Sequence, residues 1–146
     1  MIKTTETSKP NFLGFKVLDE PWNEYKLEDG STLRVKVVVI GVIKENENAF
    51  SFQATNAIGV IPNPKFVGLP SPPLKPGENL QSFIEDDDIK IAEHTDLWNE
   101  YEVPSEKIKL SVKGVLVSVG RTSRRDERGL PIYIANVQTL IKHKKK

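Results

Sequence analysis

The chain contains no cysteine. Disulfides, thiolate metal sites and a cysteine nucleophile are therefore excluded, and the composition fits a reducing compartment. Histidine is almost as scarce, with His94 and His143 far apart in the sequence. No Gly-x-Gly-x-x-Gly or Gly-x-x-x-x-Gly-Lys-Ser/Thr motif occurs, so the familiar phosphate-cradling loops are missing. No apolar run approaches the roughly 20 residues that a membrane helix needs. The segment 1–10 is polar and lacks the apolar core of a secretory signal. These absences predict a soluble, cytoplasmic protein with no cofactor and no membrane partner. They also lean against an enzyme, and no motif names a biochemical activity.

What is present is a globular composition. Of 146 residues, 38% are hydrophobic and 28% charged, which suits one domain or two small halves around a common core. The net charge of +1 conceals a division. Residues 78–106 carry ten acids and one base, Lys90, whereas residues 107–146 carry eleven bases and two acids, Asp126 and Glu127. Either the two segments neutralise each other within the fold or one of them meets a charged partner.

A short repeat organises the rest. Trp22-Asn23-Glu24-Tyr25 recurs as Trp98-Asn99-Glu100-Tyr101, 76 positions later. Each copy is followed by a polar stretch and a long strand-like run, Leu33 to Ile43 and Ile108 to Val119. Both runs open with strict alternation, Leu33/Val35/Val37 and Ile108/Leu110/Val112, and then turn apolar on both faces, from Val37 onward in the first and over Val115 to Val117 in the second. That pattern predicts strands that begin with one wet face and continue under cover on both. The repeat predicts internal duplication, two similar β-units closing around one core.

Phe12 to Leu18 is a short strand around Gly14, and Glu28-Asp29-Gly30-Ser31 is a hairpin turn. Ala49 to Ile61 and Ile132 to Ile141 are return strands. Six prolines (Pro62, Pro64, Pro70, Pro72, Pro73 and Pro76) remove amide donors, while Phe66, Val67, Leu69 and Leu74 lie among them. An ordered crossing segment is predicted there, with a proline-rich docking motif as the second reading. Glu78 to Asp88 is predicted as one short helix, with Leu80, Phe83 and Ile84 on one face.

The expected fold is therefore all-β: an antiparallel barrel or two-sheet sandwich of two similar β-hairpin units, with a Pro-rich connection and one short helix. The expected plan is a flexible tail at 1–11, one domain at 12–142 and a basic tail at 143–146. Within the domain, unit 1 spans about 22–61, the connection 62–97 and unit 2 about 98–142.

Three constellations carry the functional expectations. Gly120 to Gly129 reads as a long hairpin tip bearing Arg121, Arg124, Arg125 and Arg128, whose forked guanidinium groups match carboxylate or phosphate oxygens. Lys109, Lys113, Lys142 and Lys144 extend that surface. Trp22, Tyr25, Trp98 and Tyr101 form an aromatic site if the two copies bring them together, although large aromatics at strand starts more often fill a core. Asp86, Asp87, Asp88 and His94 offer oxygen ligands and one imidazole to a metal, but consecutive acids point in different directions. The leading expectation is a non-enzymatic binding or assembly subunit, using chiefly the arginine-rich loop to meet a protein partner or a second copy. Nucleic-acid binding through the same loop and the C-terminal lysines comes second. A metal-dependent enzyme at the acidic 85–96 segment comes third.

Overall fold

β-branched residues crowd both long runs, and both runs form long strands. The structure is a computed structural model that describes residues 11–145. The expected tail at 1–11 lies outside the described residues except for Asn11, as does Lys146. Among the described residues ten strands form. In chain order they are β1 (Asn11–Leu13), β2 (Lys16–Asp19), β3 (Asn23–Leu27), β4 (Thr32–Asn46), β5 (Ala49–Ile61), β6 (Ile84–Asp86), β7 (Ile91–His94), β8 (Asn99–Val103), β9 (Ile108–Arg125) and β10 (Pro131–Lys145).

The strands assemble into two antiparallel sheets. In the first, β4 pairs with β5 along one edge. Its other edge takes β3 at the start, with Asn23 opposite Val35, and β1 at the end, with Leu13 opposite Val42. In the second, β9 pairs with β10 along one edge. Its other edge takes β8 at the start, with Asn99 opposite Val112, and β6 at the end, with Asp86 opposite Arg121. Each sheet is then extended by a strand whose chain neighbour lies in the other sheet. β2 runs into β3 along the chain but pairs with β8, and β7 runs into β8 but pairs with β3.

The sheets face each other across two apolar clusters, each built from both sheets. One joins Val37, Val39 and Val42 of β4 to Tyr101, Val103, Ile108, Leu110 and Val112 of β8 and β9. The other joins Tyr25, Leu27, Leu33 and Val35 to Ile89, Leu116 and Val119. Inward alternation from the two strand sets fills the space between the sheets, as in facing sheets generally.

Several expectations are corrected. The barrel alternative is set aside: among the described residues no strand pairing joins the two sheets, and β5, β7, β2 and β10 remain edges. The short helix at 78–88 is a 3-10 turn, Leu80–Phe83, begun by Asn79, whose side chain accepts from the Ser82 amide. The acids that follow oppose a helix C-terminus, and the chain instead becomes extended as β6. The single strand expected at 12–18 is two strands, β1 and β2, committed to different sheets.

The long strands also do not run under cover on both faces. Each contains a β-bulge that changes which residues face inward. In β4 the register shifts between Val39 and Gly41, leaving Ile40 as the extra residue, 59% exposed. In β9 it shifts between Leu116 and Ser118, leaving Val117, 54% exposed. Before the bulge Val37 and Val39 point inward, and after it Val42 does; Val112 and Leu116 are followed in the same way by Val119. The continuous apolar pattern is this change of parity.

Candidate functional site

The arginines lie where β9 meets the Pro-rich segment. The expected long loop at 120–129 is corrected, because β9 continues to Arg125 and the connection is a tight turn. There the Gly129 amide donates to the Asp126 carbonyl, and Asp126 Oδ1 accepts from the Arg128 and Leu130 amides. Three of the four arginines are engaged within the chain. Arg121 Nη1 donates to Asp29 Oδ2 at 3.0 Å, and its guanidinium lies 3.8 Å from the Phe66 ring centroid. Arg124 donates to the Pro72 carbonyl and covers the Phe83 ring. Arg125 Nε donates to the Phe66 carbonyl at 2.8 Å, and its amide donates to Ser71 Oγ. The Gly68 amide donates to Gly129 O and the Ser71 amide to Arg125 O. These groups hold the 66–72 stretch against the end of the second sheet. Arg128 is exposed in the turn.

Asp29 is the centre of a buried polar cluster that the sequence reading missed. Its side chain is only 6% exposed, and that of Arg121 13%. Tyr133 Oη donates to Asp29 Oδ2 at 2.7 Å and lies 2.8 Å from Ser31 Oγ. Ser31 Oγ also accepts from the Asn63 amide. Burial is the main cause that pushes the Tyr133 hydroxyl up to about 12; the Asp29 carboxylate adds to it, while Ser31 and Arg121 offset it in part. Arg121 Nε is buried without a hydrogen bond, 3.9 Å from Glu85 Oε1. The only sequence signal for this cluster is general: a buried tyrosine hydroxyl needs a partner.

The four aromatics of the repeat do not converge. Tyr25 and Tyr101 sit in different apolar clusters. Tyr25 Oη donates to Gly114 O and accepts from the Leu116 amide, reaching across to the opposite sheet. Tyr101 Oη donates to Glu20 Oε2 at 2.7 Å and accepts from Asn99 Nδ2, which also donates to Val37 O. Burial first, and Glu20 after it, push the Tyr101 hydroxyl well above its usual range. The tryptophans are half-buried under cations. Trp22 lies beneath Arg34 and Lys36, and Trp98 beneath Lys113 and Lys142.

The acidic candidates also stay apart. Asp86 is in β6 opposite Arg121, and its carboxylate accepts from the Asp88 amide. His94 is in β7, stacked on Tyr25. Among the described residues no group of three or more acids and histidines is arranged to hold a metal. The acidic segment is shared out between both halves: Asp96 pairs with Lys113 and Glu85 with Arg121, but Glu93 pairs with Lys26 and Glu106 with Lys44.

The outer face of the second sheet does gather charge. Alternation along β8, β9 and β10 brings Trp98, Glu100, Lys109, Ser111, Lys142 and Lys144 together, lining with His143 an open groove of about 490 Å³. Lys113 borders it, its Nζ 2.7 Å from Asp96 and 4.6 Å from the Trp98 ring centroid. That hydrogen bond holds the Asp96 carboxyl below its usual value. Lys142 Nζ lies 4.3 Å from the same centroid. Glu100 accepts from Ser111 Oγ. Lys109, Lys142 and Lys144 are exposed, and among the described residues none of the three forms an ion pair. Four of the eight basic residues singled out from sequence thus meet around Trp98. Among the described residues no helix is long and apolar enough to cross a membrane.

The chain matches no family model, no curated protein and no solved structure.

Proposed function

We propose that this chain is a non-enzymatic binding module whose contact surface is the outer face of its second sheet, and that it engages a polyanionic partner there. One observation carries the reading: three lysines with no ion pair among the described residues line one groove with Trp98, while three of the four nearby arginines are engaged inside the fold. Arg121 is paired with Asp29, and the Arg124 and Arg125 guanidinium groups spend donors on backbone carbonyls, so an incoming anion finds more open donors on the lysines. The contact surface is accordingly placed on the lysines rather than on the arginine-rich end of β9. The test is retention on an immobilised polyanion. The Lys109→Ala/Lys142→Ala/Lys144→Ala variant is expected to elute at markedly lower salt than the parent, and Arg124→Ala/Arg125→Ala close to it. Unchanged elution of the lysine variant counts against the proposal.

The reading includes internal duplication. In its favour, β1 to β5 and β6 to β10 occupy matching places in the two sheets. An offset of 77 residues relates Leu33, Val35, Lys36, Val38 and Val42 to Leu110, Val112, Lys113, Val115 and Val119. The same offset relates the two bulges at Ile40 and Val117. Lys36 lies over Trp22 and pairs with Glu20, as Lys113 lies over Trp98 and pairs with Asp96. Arg121 pairs with Asp29 in the turn of the first half, and its counterpart Lys44 pairs with Glu106 in the turn of the second. The binding surface then lies in what the copies do not share. Where β10 presents Lys142 and Lys144, the end of β5 presents Gly59 and Ile61.

A further inference from the structure

Resting on that reading, we infer that the partner is single-stranded nucleic acid, with phosphates on Lys109, Lys142 and Lys144 and a base against Trp98. Charge alone would suit any polyanion. The tryptophan separates the classes, because a flat apolar ring beside unpaired cations offers a base a stacking surface that acidic side chains cannot use. Lys142 is the residue that opens it. It is exposed, has no acid partner among the described residues and rests on the ring itself, so a phosphate that draws its ammonium aside uncovers the indole. Lys113 stays in place, fixed at 2.7 Å to Asp96, and keeps the ring oriented. Lys142 and Lys144 are alternate residues of one strand, so their stems stand roughly 7 Å apart. That spacing suits successive phosphates of an extended strand. A duplex keeps its bases stacked on one another, so it gains only from the lysines.

The test uses the full chain carrying Trp22→Phe, which leaves Trp98 as the single tryptophan reporter. A short oligothymidylate is expected to quench Trp98 fluorescence at low salt. Three phosphate contacts give a slope of about −2 in log affinity against log salt. Read by anisotropy of an end label, an oligonucleotide of the same length without bases is expected to bind about 5- to 150-fold more weakly, the loss of one stacked base. Read by anisotropy of an end-labelled oligothymidylate, which needs no tryptophan, Trp98→Leu should lose a similar factor, and Trp98→Phe should recover most of it. The comparison with the base-free strand needs no change at Trp98, so it stands even if Trp98→Leu fails to fold. Equal binding of the base-free strand, duplex DNA and polyglutamate overturns the inference while leaving the polyanion reading intact. No binding to any polyanion at low salt overturns both.

Discussion

Arg121 and Asp29 carry the largest single electrostatic commitment among the described residues. A buried carboxylate stripped of its cation costs far more than the pair contributes, because desolvation is then uncompensated. Arg121→Met is therefore expected to lower unfolding free energy by about 2–4 kcal/mol in urea titration, whereas exposed Arg128→Ala should change it little. Tyr133 adds a pH dependence. Its pKa is raised in the folded chain, from 10.0 to about 12. Its contribution is thus full below 10 and is lost as pH rises through about 12. Thermal melts across that range should show a decline that Tyr133→Phe makes shallower, with Tyr101 contributing in the same direction. None of this cluster was legible, since nothing in the sequence relates positions 29, 31, 121 and 133. Lys109 and Lys113 were legible on one strand face, because alternation puts them there with Ser111; Lys142 and Lys144 read as part of a basic tail, and that they continue β10 beside that face was not legible. Nor was the separation of these lysines from the arginines, since a count of positive charge does not say which cations already have partners.

The bulges in β4 and β9 govern the elements. A strand that alternates strictly presents one parity inward throughout, so the apolar runs from Val37 and at Val115 to Val117 suggest cover on both faces where the structure has a change of parity. A run of β-branched residues fits either a strand buried on both faces or one that changes parity midway. Gly114 shows how tightly the changeover is packed. A Cβ there would come within 2.5 Å of Val37 Cγ2. Gly114→Ala is expected to cost about 1–3 kcal/mol, and adding Val37→Ala should recover part of that, read as non-additivity in a double-mutant cycle. The turns explain why the proposed duplication shows in the sequence as an identity of only four residues. Tyr25 stands opposite Leu33 and Tyr101 opposite Leu110, so the second turn is one residue longer. The tetrapeptides match at 76 and the long strands at 77, and comparison at a single fixed spacing loses the latter. The Pro-rich stretch depends on the end of β9. Arg124→Ala/Arg125→Ala is expected to speed protease cleavage within 66–73 at least several-fold, while affinity for oligothymidylate stays near that of the parent.

At the scale of the molecule, the exchange of β2 and β7 decides how the chain unfolds. Each half completes the other's sheet, and both apolar clusters draw on both halves. A single cooperative transition is therefore expected. The Trp22→Phe and Trp98→Phe variants, each reporting from the opposite half, should agree with far-UV circular dichroism in midpoint and slope; two separated transitions would mean that the halves are independent. Folding should be slow for the chain length, because most of the pairing is between distant residues. The all-β class was legible from β-branched alternation and turn residues. The exchange was not, because Lys16–Asp19 and Ile91–His94 are short strands whose residues carry no mark of which sheet they will join. The exchange also has a mechanical side. Tension entering at Asn11 reaches β1 in one sheet and then β2 in the other before it arrives at β3, so the load is divided between the sheets within the first few residues. Neither half can be drawn away whole, since its departure would tear a strand from the half that stays. The fold behaves under force as a clasp, closed by the same short segments that look least important on the page.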